Sequence, residues 1–483
     1  MIRQVARRVG VGLIASLLAL GLAHIGLAKQ VGGAGGAGGT GGTGGTGGGQ
    51  TQSSAGGIEI DAEGVLRTKS VVDPLGRLAD QRKAAARAIL SQDVMRSSPL
   101  RKISLNRLER EVEALRVAGK PINEEMLHLA GLTRITHLFY LPESRDIVLA
   151  GPAEGFFADP AGRVIGMETG QAILQLQDLI VALRAFAPGS PGTSMISCSI
   201  DPTADGLIRL REAQEQVQAV ASSGRHPNSL EVVRAFRQAL GMNEVTIKGV
   251  SPKTHFAQVM TEADYRMKLI GIGLEQPAVP MTTFIAKADV NNVAKNALLR
   301  WYFQPNYDCV HVSADGTAMQ LVGTGVKLVG EDERIGADGQ RSGTKKSNRA
   351  SQAFCESFTE KFGALAKVAP VFAELRNLMD LSIAAAYIHE KDWYQQSGWT
   401  AAFFGDESRS TVESNPAVRL VEPAVNVIEK GNVTGYPMGG GVTIQPRIAL
   451  SSEHLKVDTS GEIQKAKADV KIDGLGESQW WWD

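Results

Sequence analysis

The chain has 483 residues, 43% apolar and 21% charged, enough for real cores and for two or three domains. Its 51 Lys and Arg are balanced by 51 Asp and Glu, so no net field favours a polyanion or an acidic membrane surface. Nucleic acid is therefore not expected as a partner.

In chain order, Arg3, Arg7 and Arg8 precede an apolar run from Val9 to Leu22, and Gly26 to Ala28 offer small residues for cleavage. Residues 1–28 read as a secretory signal, which places the protein outside the cytosol, in the periplasm, cell envelope or medium. The alternative is an uncleaved anchor, because Val9 to Ala28 is just long enough to cross a bilayer. No other uncharged apolar run reaches that length, so no transmembrane segment is expected in the mature chain. Residues 29–57 contain GGAGGAGGTGGTGGTGGG and read as a flexible tether with a reach of about 30 Å.

Beyond the tether an α+β fold is expected, with mixed or antiparallel sheets. It divides into an N-terminal region (58–190), a central domain (191–330), a mobile loop (331–348) and a C-terminal helical hairpin with short strands and a Trp tail (349–483). IDAEGVL (60–66), ADPAGRV (158–164) and VDTSGEI (457–463) share an Asp followed three places later by Gly, which is hairpin-turn chemistry. They lack the further oxygens of a calcium loop, and no metal site is expected. Residues 134–141 and 146–151 read as a hairpin, and 171–186 as a helix. A strand (194–200), helices (204–221 and 229–240), a strand (245–250) and a helix (252–270) follow. Asp315-Gly316 marks another hairpin, and Pro370 opens the second helix of the C-terminal pair. Residues 415–450 read as short strands broken by Pro423, Pro437 and Gly439 to Gly441.

In the helix over 252–270, Ser251 is the expected cap, and Phe256, Val259, Met260, Ala263, Met267 and Ile270 form an apolar stripe. Glu262 before Arg266 and Asp264 before Lys268 are acid-before-base pairs four residues apart, which suit a solvated outer face.

ADYRMKLIGIGLE (263–275), together with HLAGLTRI (128–135), DIVLAGPAEG (146–155), CSIDPTADGL (198–207), RWYFQPNY (300–307) and ELRNLMDLSIAAAYI (374–388), resembles an exported planctomycete family catalogued only as a domain of unknown function. The resemblance covers roughly residues 58–450. It implies an exported planctomycete protein, and no activity or site residue comes with it.

No phosphate loop, nucleophile elbow, zinc-protease motif or paired C-x-x-C occurs, and no cofactor is expected. Asp201 and Asp205 follow a strand where a carboxylate pair can do acid–base work; turn and cap roles are the simpler reading. His255 starts the charged helix, where the helix dipole lowers its pKa, and it lies two turns from Glu262. Cys309 and His311 share a strand face, and Cys198 with Cys309 is a possible disulfide, set against three buried free thiols. Arg300, Trp301, Tyr302, Phe303 and Tyr307 form an aromatic cluster that suits a core or a stacking platform. Trp480, Trp481 and Trp482 cannot all face one core, so at least one should be exposed, as in a docking tail. The leading expectation is a binding or structural protein of the envelope or exterior, its partner an envelope or extracellular protein or glycan. The alternative is an exported hydrolase of polysaccharide or peptide, which requires Asp201, Asp205, His255, Glu262 and Asp264 to meet in a cleft.

Overall fold

The computed structural model describes residues 54–225, 227–288, 297–335, 341–343, 348–428 and 434–483. The signal expected over 1–28 lies outside them, as does most of the tether expected over 29–57. Residues 54–57 of that tether open the first strand, Ser54–Ile60.

Two of the three Asp-x-x-Gly turns form hairpins. Asp61 Oδ1 accepts from the amides of Glu63 and Val65, joining Ser54–Ile60 to Val65–Val72. Asp159 Oδ1 accepts from Ala161 and Arg163 between Phe156–Ala158 and Val164–Gly166. The third differs: Asp458 accepts from Ser460 and Ile463 and leads into the helix Glu462–Ala468. The carboxylate meets the free amides of a helix start as readily as those of a turn.

The fold is α+β, built on two large sheets. The larger runs, across its width, Ser54–Ile60, Val65–Val72, Leu420–Val421, Asn243–Lys248, Ile196–Asp201, Thr434–Ile444, Ala297–Pro305, Val326–Ile335 and Arg341–Gly343. Strands from all three regions expected from the sequence therefore share one sheet. Pairing is mostly antiparallel; Thr434–Ile444 runs parallel to Ala297–Pro305. Gly439 to Gly441, expected as a break, lie inside that central strand. A Cβ on Gly440 would sit 1.8 Å from the Trp301 carbonyl oxygen, and one on Gly441 1.9 Å from that of Cys198. Glycine is needed there because backbones approach too closely for any side chain.

The expected loop over 331–348 is corrected in its described part: residues 331–335 extend a strand, and 341–343 pair back onto it. The second sheet orders Lys456–Val457, Val310–Val312, Ala318–Leu321, His137–Leu141, Asp146–Ala153, Ser98–Ser104 and Trp481–Trp482. The helical pair forms as Arg349–Val368 and Pro370–Glu390, with Pro370 in the first turn. The second of these helices is buried along almost its whole length, including Glu374, Arg376, Asn377 and Asp380. No helix among the described residues is long and apolar enough to cross a membrane.

Candidate functional site

The charged helix runs His255–Gly271, three residues later than expected, because Thr254 rather than Ser251 caps it: its hydroxyl accepts from the Ala257 amide at 3.2 Å. The apolar stripe is buried as expected, each large member worth about 1.5–3 kcal/mol on transfer from water. The opposite face is not solvated. Glu262, Asp264 and Lys268 are 2%, 0% and 1% exposed, because the helix packs between the larger sheet and Pro370–Glu390. Both expected ion pairs exist, Arg266 Nε to Glu262 Oε1 and Lys268 Nζ to Asp264 Oδ2, each at 2.8 Å. Lys268 Nζ also donates to the Ile200 carbonyl at 3.2 Å. Buried pairs of this kind carry a large desolvation cost, unlike surface pairs.

The N-terminal half of this helix forms one wall of a cavity of about 610 Å³. The β-turn bearing Arg163, the start of the helix Leu176–Ala185, Glu374 and the segment 410–415 supply the others. Arg163 bridges Glu262 and Glu374 through separate guanidinium nitrogens, and its Nε donates to the Gly56 carbonyl at 2.9 Å. Burial works against the Arg163 charge, but Glu374 and Glu262 outweigh it and hold the pKa above the usual guanidinium value. Burial pushes the Glu374 carboxyl up, opposed by Arg163 and then His255. Arg266 links Glu262 onward to Glu275.

His255 Nδ1 faces Asp178 Oδ2 at 2.9 Å, and its Nε2 faces the Gln175 amide nitrogen at 3.4 Å. Burial opposes protonation, yet Asp178 lifts the imidazole to about 9. The lowering expected from the helix dipole is thus reversed by an adjacent carboxylate. Gln175, Gln177, Gln258, Ser410, Thr411 and Asn415 add neutral hydrogen-bonding groups. Along this chain of contacts four carboxylates, Asp178, Glu262, Glu275 and Glu374, meet three cations, Arg163, Arg266 and His255. This network carries one surplus negative charge, and Arg116 and Glu413, which also line the cavity, offset each other.

Of the five residues tied to hydrolysis, His255 and Glu262 share the cavity. Asp264 lies on the other side of the helix against the sheet, where burial pushes it up to about 6 against the pull of Lys268. Asp201 ends the strand Ile196–Asp201 on that same side, and Asp205 is exposed in the first turn of Ala204–Ser222, capped by Thr203.

Cys198, Cys309 and Cys355 are buried free thiols, so the possible Cys198–Cys309 bridge is not made. Cys198 belongs to the larger sheet and contacts Thr261 Oγ1 at 3.5 Å, whereas Cys309 ends a short 3-10 turn before the second sheet. Burial pushes both thiols up to about 12, which removes the thiolate a Cys309–His311 pair would need. In the aromatic cluster Trp301 and Phe303 are core, and Trp301 Nε1 donates to Ser351 Oγ at 3.1 Å. Arg300, Tyr302 and Tyr307 are half-buried around them. None of the three C-terminal tryptophans is exposed, contrary to expectation. Trp480 enters the main core, Trp482 a smaller one, and the Trp481 ring stacks on Arg101 at 4.6 Å. The completely buried Arg101 also binds Asp483 through Nε and Nη2 at 2.8 and 3.0 Å.

Arg163, Asp178 and Glu374 were not anticipated. The last two had a legible signal, an acid inside a mainly apolar helix, which is rarely tolerated without a partner. Arg163 had none beyond its place after a turn.

Among the described residues, no group of three or more His, Cys, Asp or Glu side chains is arranged to hold a metal ion. Neither curated proteins nor solved structures include a match to the chain. Residues 198–284, which carry His255, Glu262 and Asp264 but not Arg163, Asp178 or Glu374, match the model of a family described as "Protein of unknown function (DUF1598)".

Proposed function

We propose that the chain is a non-catalytic binding protein acting outside the cytosol, and that its cavity takes a small amine- and hydroxyl-bearing ligand of the amino-sugar class. The observation that carries this reading is the surplus carboxylate in the charge network along one wall of a cavity whose lining also sets amides and hydroxyls among apolar side chains. A ligand ammonium completes the charge balance at Glu262 and Glu374, and the surrounding amides pair with hydroxyls. The volume suits one or two sugar rings. The export half of the reading rests on residues 1–28, and N-terminal sequencing of protein recovered from fractionated cells tests it.

Hydrolysis is the second reading, supported by His255 and Glu262 facing one cavity beside Glu374 with its raised pKa. Against it, the Asp178 carboxylate favours the charged imidazole, which works against His255 as a base at neutral pH. The Arg163 guanidinium also fills the space between the two carboxylates where a scissile bond would lie.

Titration calorimetry with glucosamine, glucose and N-acetylglucosamine distinguishes the readings. Binding of glucosamine at least about tenfold tighter than the two neutral sugars is expected, from one charged hydrogen bond of about 1.5–3 kcal/mol. Equal affinities, or turnover of a chito-oligosaccharide lost in both Glu262→Gln and Glu374→Gln, would overturn it.

A further inference from the structure

We propose that Arg134, Arg376 and the Gly323–Gly325 turn form a binding site for a small monovalent anion, of which chloride is the model. It lies away from the cavity: Arg376 is two residues from Glu374 on Pro370–Glu390 and projects from a different face of that helix. Arg134 donates through Nε to Asp380 Oδ2 at 2.9 Å and through Nη1 to the Gly323 carbonyl at 2.7 Å. Its Nη2 is buried without a partner. Arg376 is only 6% exposed, and its Nε and Nη2 are likewise buried and unpartnered.

These groups converge on one place. A Cβ built on Gly325 would stand 3.2 Å from Arg134 Nη2, 3.2 Å from Arg376 Cγ and 3.3 Å from Asp380 Oδ1. Arg134 and Asp380 both act on the Arg376 charge, so the two guanidiniums are near neighbours, and the positive φ of Gly325 keeps a side chain out of the space beside Arg134 Nη2. Two guanidiniums share one carboxylate, so the cluster holds one uncompensated buried positive charge and three unpartnered donor nitrogens. Burial and the neighbouring Arg134 lower the Arg376 pKa to about 10, the mark of a cation short of counter-charge. A water molecule can accept from the donors, but it leaves that charge unbalanced, whereas a chloride-sized anion satisfies both. Asp380 Oδ1, also unpartnered, repels any anion, so the surplus cation can hold only a singly charged one, seated on the guanidinium side of the cluster.

Crystals of the full chain grown in sodium bromide test this by anomalous scattering. An anomalous peak within hydrogen-bond reach of Arg134 Nη2 and Arg376 Nε is expected. Its absence, whether water fills the gap or Arg376 turns onto Asp380, overturns the proposal. In parallel, thermal unfolding is followed at fixed ionic strength in chloride and in gluconate, which is too large to enter. Chloride should raise the midpoint of the wild type in a saturable way, and Arg376→Met should weaken that dependence at least about tenfold. An equal response of the two proteins to chloride contradicts the site.

Discussion

Replacing Asp178 by Asn removes the carboxylate that holds His255 in its charged form. In the native protein burial opposes that charge, and the charge and hydrogen bond of Asp178 at 2.9 Å outweigh burial and raise the imidazole from 6.5 to about 9. A raised folded-state pKa gives stability that is complete below 6.5 and lost as pH climbs through 9. At about 1.36 kcal/mol per pH unit, the interval is worth at most about 3 kcal/mol; the imidazole is one-fifth exposed, and solvent screening trims that figure. In Asp178→Asn, burial and Arg163 still lower the pKa, and Glu374 still raises it. The value should fall to 6.5 or below. With histidine-selective isotope labelling, the eight histidines are followed by NMR from pH 5 to 10, and the resonance missing in His255→Gln is assigned. Urea midpoints over the same range should decline for the wild type between pH 6.5 and 9 and lose that component in Asp178→Asn. Titration of His255 near 6.5 in both proteins would refute the reasoning.

Three further outcomes follow from the buried charges. Arg163→Met strands Glu374 and leaves Glu262 with Arg266 alone, and should cost about 3–5 kcal/mol in urea denaturation, with part recovered in Arg163→Met/Glu374→Gln. Lys268→Met should cost a similar amount and Asp264→Asn/Lys268→Met much less; a solvated pair would put every variant within about 0.5 kcal/mol of wild type. Deleting residues 480–483 removes the Asp483 partner and Trp481 lid of a fully buried Arg101, and a fall of several kcal/mol in stability is expected. An unchanged midpoint would return the tail to the role of an exposed docking segment.

Much of the fold was legible because its signals are local. The Asp and Gly of the turns at 61–64 and 159–162, Asp315-Gly316, and Pro370 each act through their own backbone. What was not legible depends on neighbours distant in the chain. The pairs Glu262–Arg266 and Asp264–Lys268 look the same in sequence whether water or Pro370–Glu390 covers them. Gly439 to Gly441 read as a break because the two strands that crowd them, Ile196–Asp201 and Ala297–Pro305, lie far off in sequence. The site was half visible: His255 and Glu262 stood out as charges, but Asp178, Arg163 and Glu374 come from three other elements, and only folding brings them together.

The most direct test of the binding account is a crystal structure of the protein grown with glucosamine. The account predicts the ligand ammonium at hydrogen-bond distance from Glu262 or Glu374, with its hydroxyls against Gln175, Gln258 or Asn415. A cavity holding only water at saturating glucosamine, or the sugar bound elsewhere on the molecule, would contradict it.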